Sequence, residues 1–383
     1  MKIKELAIGG LFCDGDWVES KDQDPEGAIR LIQLADIGDG WFIDKSARFM
    51  NEQKAAKLRC TFLKKDDILI ARMPDPIGRA CLFPFDMEER FVTVVDVCVL
   101  RLNGKAVPKY VVYAVNSPLI RHQIEGQITG TTRQRITRKK IGELQIPLPP
   151  LPIQQKIAAI LDAADQYRQK TKALVAKYDQ LAQSLFLDMF GDPVSNPKGW
   201  ETVMFSDIGS LDRGKSKHRP RNAPELLGGK YPLIQTGDVA NSGGYISSYT
   251  STYSELGLKQ SKLWQAGTLC ITIAANIAKT GILKIDACFP DSVVGFLPND
   301  KTNVEFVQYW MSFLQKILED SAPESAQKNI NLKILRNLEF FCPPTILQNQ
   351  FADRIQQIEQ QKQQAQASLQ KAEELFQSLL QRA

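Results

Sequence analysis

The sequence predicts an α+β protein. Two mixed α/β domains are separated by a long antiparallel two-helix coiled coil, and a pseudo-two-fold internal repeat relates the halves. Three observations predict this. First, residues 133–186 and 327–380 align without a gap at an offset of 194, and 15 of the 54 positions are identical. The matches include Ile136 with Ile330, Leu144 with Leu338, Gln154 with Gln348, and Gln183-Ser184-Leu185 with Gln377-Ser378-Leu379. The repeat reaches upstream, where "LIQLADI" (31–37) matches "LIQTGDV" (233–239), and Leu63 and Leu69 match Leu263 and Leu269. Second, a sustained heptad seam runs through each copy. Third, prolines stand at the same place before each seam, Pro149-Pro150 and Pro343-Pro344. A repeat unit this long is a duplicated domain rather than a solenoid period.

Residues 1–150 read as domain one. Short β-branched runs such as "DILIA" (67–71) and "FVTVVDVCVL" (91–100) predict strands between Gly, Asp and Pro turns. "IPLPPLP" (146–152) stops any strand and suits a helix start, where first-turn N–H groups lack intrahelical partners anyway. Residues 151–190 then read as the first long helix. Its expected seam includes Ile153, Ile157, Ile160, Leu174, Leu181 and Leu185. Gly191 and Pro193 end it, and 191–199 is a linker. Residues 200–345 repeat the α/β pattern as domain two, and 346–383 form the second helix. Its seam carries Phe351, Ile355, Ile358, Leu369, Phe376 and Leu379 through glutamine-rich faces. At a rise of 1.5 Å per residue the first helix spans about 55 Å, so the domains are expected to sit apart. The second helix must run back antiparallel to bury its seam on the first. Alternatively, each helix packs on its own domain.

Length and composition bound the class. A chain of 383 residues allows two or three domains with their own cores. Hydrophobic residues make up 43% and charged residues 24%, ordinary values for a soluble protein. The start "MKIKELAIGG" lacks a signal-peptide core, and no apolar run reaches membrane-spanning length. Seven scattered cysteines without a CxxC pair fit reduced thiols in a cytoplasm. The net charge is only +5, so a surface for a polyanion must come from local clusters.

Three clusters stand out. Arg213, Lys215, Lys217, Arg219 and Arg221 fall at every second position, with His218 among them. In an extended chain these side chains share one face, which suits a phosphate backbone. A solvated loop is the plainer alternative. The same region, "GSLDRGKS" (209–216), fits the phosphate-loop pattern of nucleotide-binding enzymes, but the following "KHRPRNAP" shows no helical period. The second cluster is Thr131, Thr132, Arg133, Gln134 and Arg135, just before Ile136. Its counterpart holds Gln327, Lys328, Asn329 and Asn331 around Ile330. Arg, Gln and Asn can bond bidentately to guanine or adenine edges. Equivalent stretches with one apolar framework and different polar groups suit two readers of different short sequences. The third cluster is Arg72 and Arg79 around a tight turn, with Lys279 in the second copy; salt pairing at the surface is the alternative.

Catalytic constellations are missing. Only His122 and His218 exist, and neither lies in a nucleophile motif. No metal-spaced His/Cys cluster and no dinucleotide fingerprint appears, so neither a metal nor a cofactor is expected.

"IPLPPLPIQQKIAAILDAADQ", "LAQSLFLDMFGDP" and "NPKGWETVMFSDI" resemble the conserved region of the DNA-specificity (S) subunits of type I restriction–modification systems. "DGDWVES", "RLIQLADIGDGWF" and "LKKDDILIARMPDPIGR" resemble one class of their target-recognition domains. The resemblance spans nearly the whole chain. It implies two target-recognition domains on an antiparallel helix pair and a bipartite site in double-stranded DNA. Two methyltransferase (modification) subunits would bind S-adenosylmethionine and methylate adenine, and a motor–nuclease (restriction) subunit would join for cleavage. The chain departs from this picture at "DGDWVESKDQD" (14–24), which is acidic where the second half has its basic loop. A stand-alone DNA-binding or scaffold protein of the same duplicated fold remains a second reading.

Overall fold

A computed structural model describes residues 1–7, 9–87, 90–130, 132–274, 276–321 and 330–382. The chain divides into two compact units, Met1–Lys172 with Gln366–Ala383, and Ala173–Ala365. Both long helices are therefore shared between units.

The first unit contains β1 (Leu11–Asp14), β2 (Ile29–Ile32), β3 (Phe49–Met50), α1 (Glu52–Leu58), β4 (Ile68–Ala71), β5 (Ala80–Leu82), β6 (Phe91–Thr93), β7 (Val97–Arg101), α2 (Pro108–Asn116), α3 (Pro118–Glu125) and α4 (Arg138–Glu143). The helix α5 (Leu151–Phe190) begins here. A four-stranded antiparallel sheet has the order β1-β7-β4-β5, and a smaller sheet the order β3-β2-β6. Strand β4 explains why "DILIA" reads as one apolar run. Ile68 and Ile70 face a core with Tyr110 and Val111 of α2, whereas Leu69 and Ala71 face a second core with Phe83 and Phe91. A strand buried on both faces loses the alternation of a half-exposed one.

The second unit contains β8 (Thr202–Met204), β9 (Gly209–Arg213), β10 (Leu227–Leu233), α6 (Thr236–Ala240), β11 (Tyr245–Ile246), β12 (Ser251–Tyr253), α7 (Glu255–Lys259), β13 (Leu263–Trp264), β14 (Leu269–Thr272), β15 (Thr280–Leu283), β16 (Ala287–Cys288), β17 (Val293–Pro298), α8 (Val304–Ser321), α9 (Leu332–Arg336), β18 (Glu339–Phe341) and the start of α10 (Thr345–Arg382). Its main sheet has the order β11-β15-β14-β17-β9, so β9, β17, β14 and β15 repeat β1, β7, β4 and β5.

The Pro-Pro-x-x-x-Gln motif has a mechanical role in both units. Buried Gln154 accepts a hydrogen bond from Val107 N (2.9 Å) and donates to Pro149 O (2.7 Å). Buried Gln348 does the same with Asn303 N (2.9 Å) and Pro343 O (2.8 Å). One amide thus joins the start of a long helix to the residue preceding α2 or opening onto α8. It satisfies terminal groups that would otherwise be buried without partners.

In the first unit the early turns of α5 meet the late turns of α10. Leu161, Phe376 and Leu380 are buried together with Tyr113, and the Arg168 guanidinium lies 4.4 Å from the Phe376 ring centre. In the second unit the late turns of α5 meet the early turns of α10. Phe186 and Phe190 pack on Phe351 at ring separations of 5.5 Å, and Lys362 pairs with Asp179 at 2.6 Å. On α10, Phe351, Ile355 and Phe376 are buried, and Ile358, Leu369 and Leu379 are half-buried.

The expected seam of α5 needs correction. Ile153, Ile160, Leu174 and Leu181 are 46, 45, 43 and 51% exposed. Thr171, in the expected register, is buried, and Ile157 and Leu185 are half-buried; the rest of the buried face, Ala158, Leu161, Ala182 and Phe186, lies one residue further along. Sequence periodicity selects the bulkiest apolar side chain of each turn. The packed face instead includes alanines, which permit close approach of neighbouring backbones.

Candidate nucleic-acid interface

The basic stretch of the second unit begins at the end of β9. Arg213, Lys215 and Lys217 are exposed, whereas Gly214 and Ser216 between them are buried. The period of two places three cations on one face of an extended chain. Several contacts hold that face outward. Gly214 sits so close to Phe289 O and Pro290 O that a Cβ would meet each at 2.3 Å. Gln260 Oε1 accepts from Lys217 N (2.7 Å) and His218 N (3.1 Å), and Ser261 Oγ donates to Lys215 O (2.8 Å). Among the described residues the side chains of Arg213, Lys215 and Lys217 have no ion-pair partner. Arg221 pairs with Asp291 at 2.6 Å, Arg219 approaches the same carboxylate at 3.8 Å, and His218 lies 3.8 Å from Glu225. The phosphate-loop alternative fails here. β9 runs into extended chain, and the next α-helix is α6.

The first unit presents a hairpin instead. Thr129 and Arg135 exchange backbone hydrogen bonds of 3.0 and 2.9 Å, and Gly130 takes the turn with a φ of 99°. Thr132, Arg133, Gln134 and Arg135 are exposed on it, and buried Ile136 anchors its base by donating to Arg72 O (3.2 Å). Thr131, Gln327, Lys328 and Asn329 lie outside the described residues.

Three expected contact residues serve the fold. Arg79 is only 8% exposed. It donates to Ile37 O (2.7 Å), Pro74 O (2.7 Å) and Leu34 O (2.9 Å), so its five-donor fork ties together carbonyls of two loops. Arg72 bonds Asp14 (2.6 Å) and reaches Asp96 (3.3 Å). Asn331 caps α9 by accepting from Ile334 N (2.9 Å), as Thr137 caps α4 one repeat earlier. Lys279 is half-buried and donates to Gln315 (3.2 Å).

Backbone hydrogen bonds set the equivalence between units. Gly15 N bonds Val97 O and Gly214 N bonds Val293 O, so Asp14 occupies the position of Arg213. Ile136 N bonds Arg72 O and Ile330 N bonds Ile273 O, so Arg72 stands where the second unit has Ile273. Asp14 is clamped by Arg72 and by Arg138 (3.0 Å). Burial pushes its carboxyl up, but hydrogen bonds from Arg138 and Arg72 outweigh this and hold it below the usual range. This network is invisible in sequence because its members lie up to 124 positions apart.

The family model described as "Type I restriction modification DNA specificity domain" matches residues 9–176 and 197–374. The specificity subunit of the type I restriction enzyme HindI of Haemophilus influenzae is 26% identical over 154 residues, 38% of this chain and 32% of that protein. The MjaIX specificity subunit of Methanocaldococcus jannaschii is 22% identical over 239 residues, 58% of this chain and 53% of that protein. The chain thus spans about a third to a half of these curated relatives. Among solved structures, the S subunit of a type I restriction–modification system from M. genitalium superposes with a TM-score of 0.61 at 18% identity, covering 100% of this chain and 94% of that one. A chain from a study of assembly and conformational transition of the type I R-M system gives 0.59 at 18% identity, covering 99 and 95%. These likenesses show the mixed α/β fold. With both repeats matched and nearly the whole chain covered, the protein belongs to the type I restriction–modification DNA specificity family.

Proposed function

We propose that this chain is the DNA sequence-specificity subunit of a type I restriction–modification complex, with no catalysis of its own. It reads a bipartite site in double-stranded DNA, one domain per half-site, and carries two modification subunits, with restriction subunits in the full complex. The observation that carries this is the duplicated frame with opposite charge at equivalent positions, Asp14 in one copy and Arg213 in the other. One scaffold with two different polar faces is what two independent readers require. Arg213, Lys215 and Lys217 are assigned to phosphates, and Thr132, Arg133, Gln134 and Arg135 to the first half-site.

In this reading α5 and α10 form an antiparallel coiled coil with a pseudo-two-fold axis, a spacer about 60 Å long for 40 residues. Supporting it, α5 starts against the end of α10 in the first unit and ends against the start of α10 in the second. The domain limits follow as 1–150 and 200–345. The exposed Ile153, Ile160, Leu174 and Leu181 give partner helices an apolar face on α5.

The test is to map methylated adenines in cells carrying a modification subunit with and without this gene. A two-part motif that disappears with the gene is expected. Methylation independent of the gene would overturn the assignment.

A further inference from the structure

The acidic stretch after β1 poses a problem for a unit that must approach DNA, and the structure offers a solution. Each carboxylate there has a partner inside the unit. Asp14 is held by Arg72 and Arg138, and Asp16 by Thr61 N at 3.0 Å. Glu19 pairs with Lys21 (2.5 Å), Asp22 with Lys54 (3.1 Å), and Asp24 accepts from Glu26 N (3.1 Å). The same stretch forms one wall of an open cleft of about 600 Å³, whose lining includes Val18, Glu19, Ser20, Gln23, Gln33 and Arg48. Arg48 is exposed, and among the described residues its guanidinium has no hydrogen-bond or ion-pair partner.

Arg48 is held in place from both sides. Its carbonyl accepts from Leu31 N (2.8 Å), and Phe49 after it pairs with Arg30 between β3 and β2. Two residues before it, Ser46 is fixed by buried Asp36, which accepts from Lys45 N and Ser46 N at 2.7 Å each. Burial raises the Asp36 carboxyl, but hydrogen bonds from Gln33 and from Ser46 and Lys45 outweigh this and keep it in the charged form. The result is a free guanidinium on an anchored backbone, beside two amides, over a cleft large enough for a base edge. Arginine bonds guanine O6 and N7 through two donors at once, and glutamine does the same for adenine.

We propose that this cleft is a base-reading site of the first unit, with Arg48 donating to a guanine edge of the first half-site and Gln23 and Gln33 flanking it. It rests on the two-reader assignment above. In this reading the approach to β3 adds a base contact to the first half-site beside the Thr132–Arg135 hairpin.

The test uses the complex with its modification subunits and variants Arg48→Ala and Arg48→Lys. Thermal unfolding of each checks that the first unit stays folded. Arg48→Ala is expected to lower methylation of the native site about tenfold to a hundredfold. It should also relax the preference at one base pair of the first half-site and leave the second half-site unchanged. Arg48→Lys is expected to keep the salt dependence of binding and to retain part of the guanine preference, because an ammonium still donates to O6 and N7 but lacks the planar fork. Full retention of the first half-site by Arg48→Ala overturns the proposal. So does a uniform loss across all sequences, which marks a phosphate contact. A wild-type complex that methylates no two-part motif overturns the two-reader assignment itself, and this inference with it.

Discussion

The end of β1 and the end of β9 occupy the same place in two copies of one frame, yet they carry opposite charge. Asp14 is closed off by Arg72 and Arg138, whereas Arg213 is exposed and begins a row of three outward cations. The frame conserves what buries apolar surface and ties helix ends, such as Gln154 and Gln348. It leaves the strand ends free to differ. Polar groups at these strand ends can therefore differ while the shared apolar core and helix ties stay the same.

The sharpest way to test this contrast is to remove the free cations of the second unit. Each phosphate contact contributes about 0.9 to the slope of log affinity against log salt. Changing Arg213, Lys215 and Lys217 to alanine should therefore flatten that slope by up to about 2.7, a tens-fold difference in affinity between low and moderate salt. Arg221→Ala should change it by less than one, since Asp291 already pairs with that side chain. Equal effects from Arg221 and Lys215 in binding titrations would show that the ion pair opens on DNA.

Arg79 and Lys279 are equivalent positions with unequal roles, since Ala71 N bonds Arg79 O as Thr272 N bonds Lys279 O. Arg79→Ala should destabilise the first unit by about 3 kcal/mol, because buried carbonyls lose their donors. Lys279→Ala should cost the second unit less than about 1 kcal/mol, since one partly exposed hydrogen bond is lost. Hydrogen exchange resolved by unit reads both. Similar losses would remove the distinction between a structural arginine and a surface lysine.

These residues show what was legible in the sequence. The duplication, the long helices and β4 follow from local periodicity and a constant offset, which are properties of the string itself. The alternation of exposed cations over 213–217 is legible for the same reason. The burial of Arg79 and the Asp14–Arg72–Arg138 network are not, because they depend on distant segments meeting. Arg48 is not legible either, because an isolated arginine in a mixed-charge stretch carries no pattern. The seam of α5 is legible in its pitch but only in part in its phase, because periodicity does not say which of two neighbouring faces is packed.

That correction predicts a third contrast. Leu161→Ala should cost about 2–5 kcal/mol, as for a buried leucine, while Ile160→Ala one position earlier should cost under about 1 kcal/mol. Comparable losses in thermal unfolding of the isolated chain would show that the face of Ile160 is packed as well. Loss of binding to the proposed modification subunit by Ile160→Ala without loss of stability would mark that face as the docking surface.

The smallest expected effect is in acid. The Asp36 carboxyl is held below its ordinary value when folded, so its contribution to stability is present above the unfolded value near 4 and is lost as pH falls through the folded one. Asp36→Asn should lower stability at neutral pH and flatten the acid limb of unfolding for the first unit. An unchanged acid limb would mean that other carboxylates dominate it.

The central claim is that the two units read independently. Its most direct test is a chimera in which residues 200–342 are replaced by the matching domain of a relative, with methylated adenines mapped in cells. The account predicts a motif whose one half is new and whose other half is retained. A motif changed in both halves, or in neither, would contradict it.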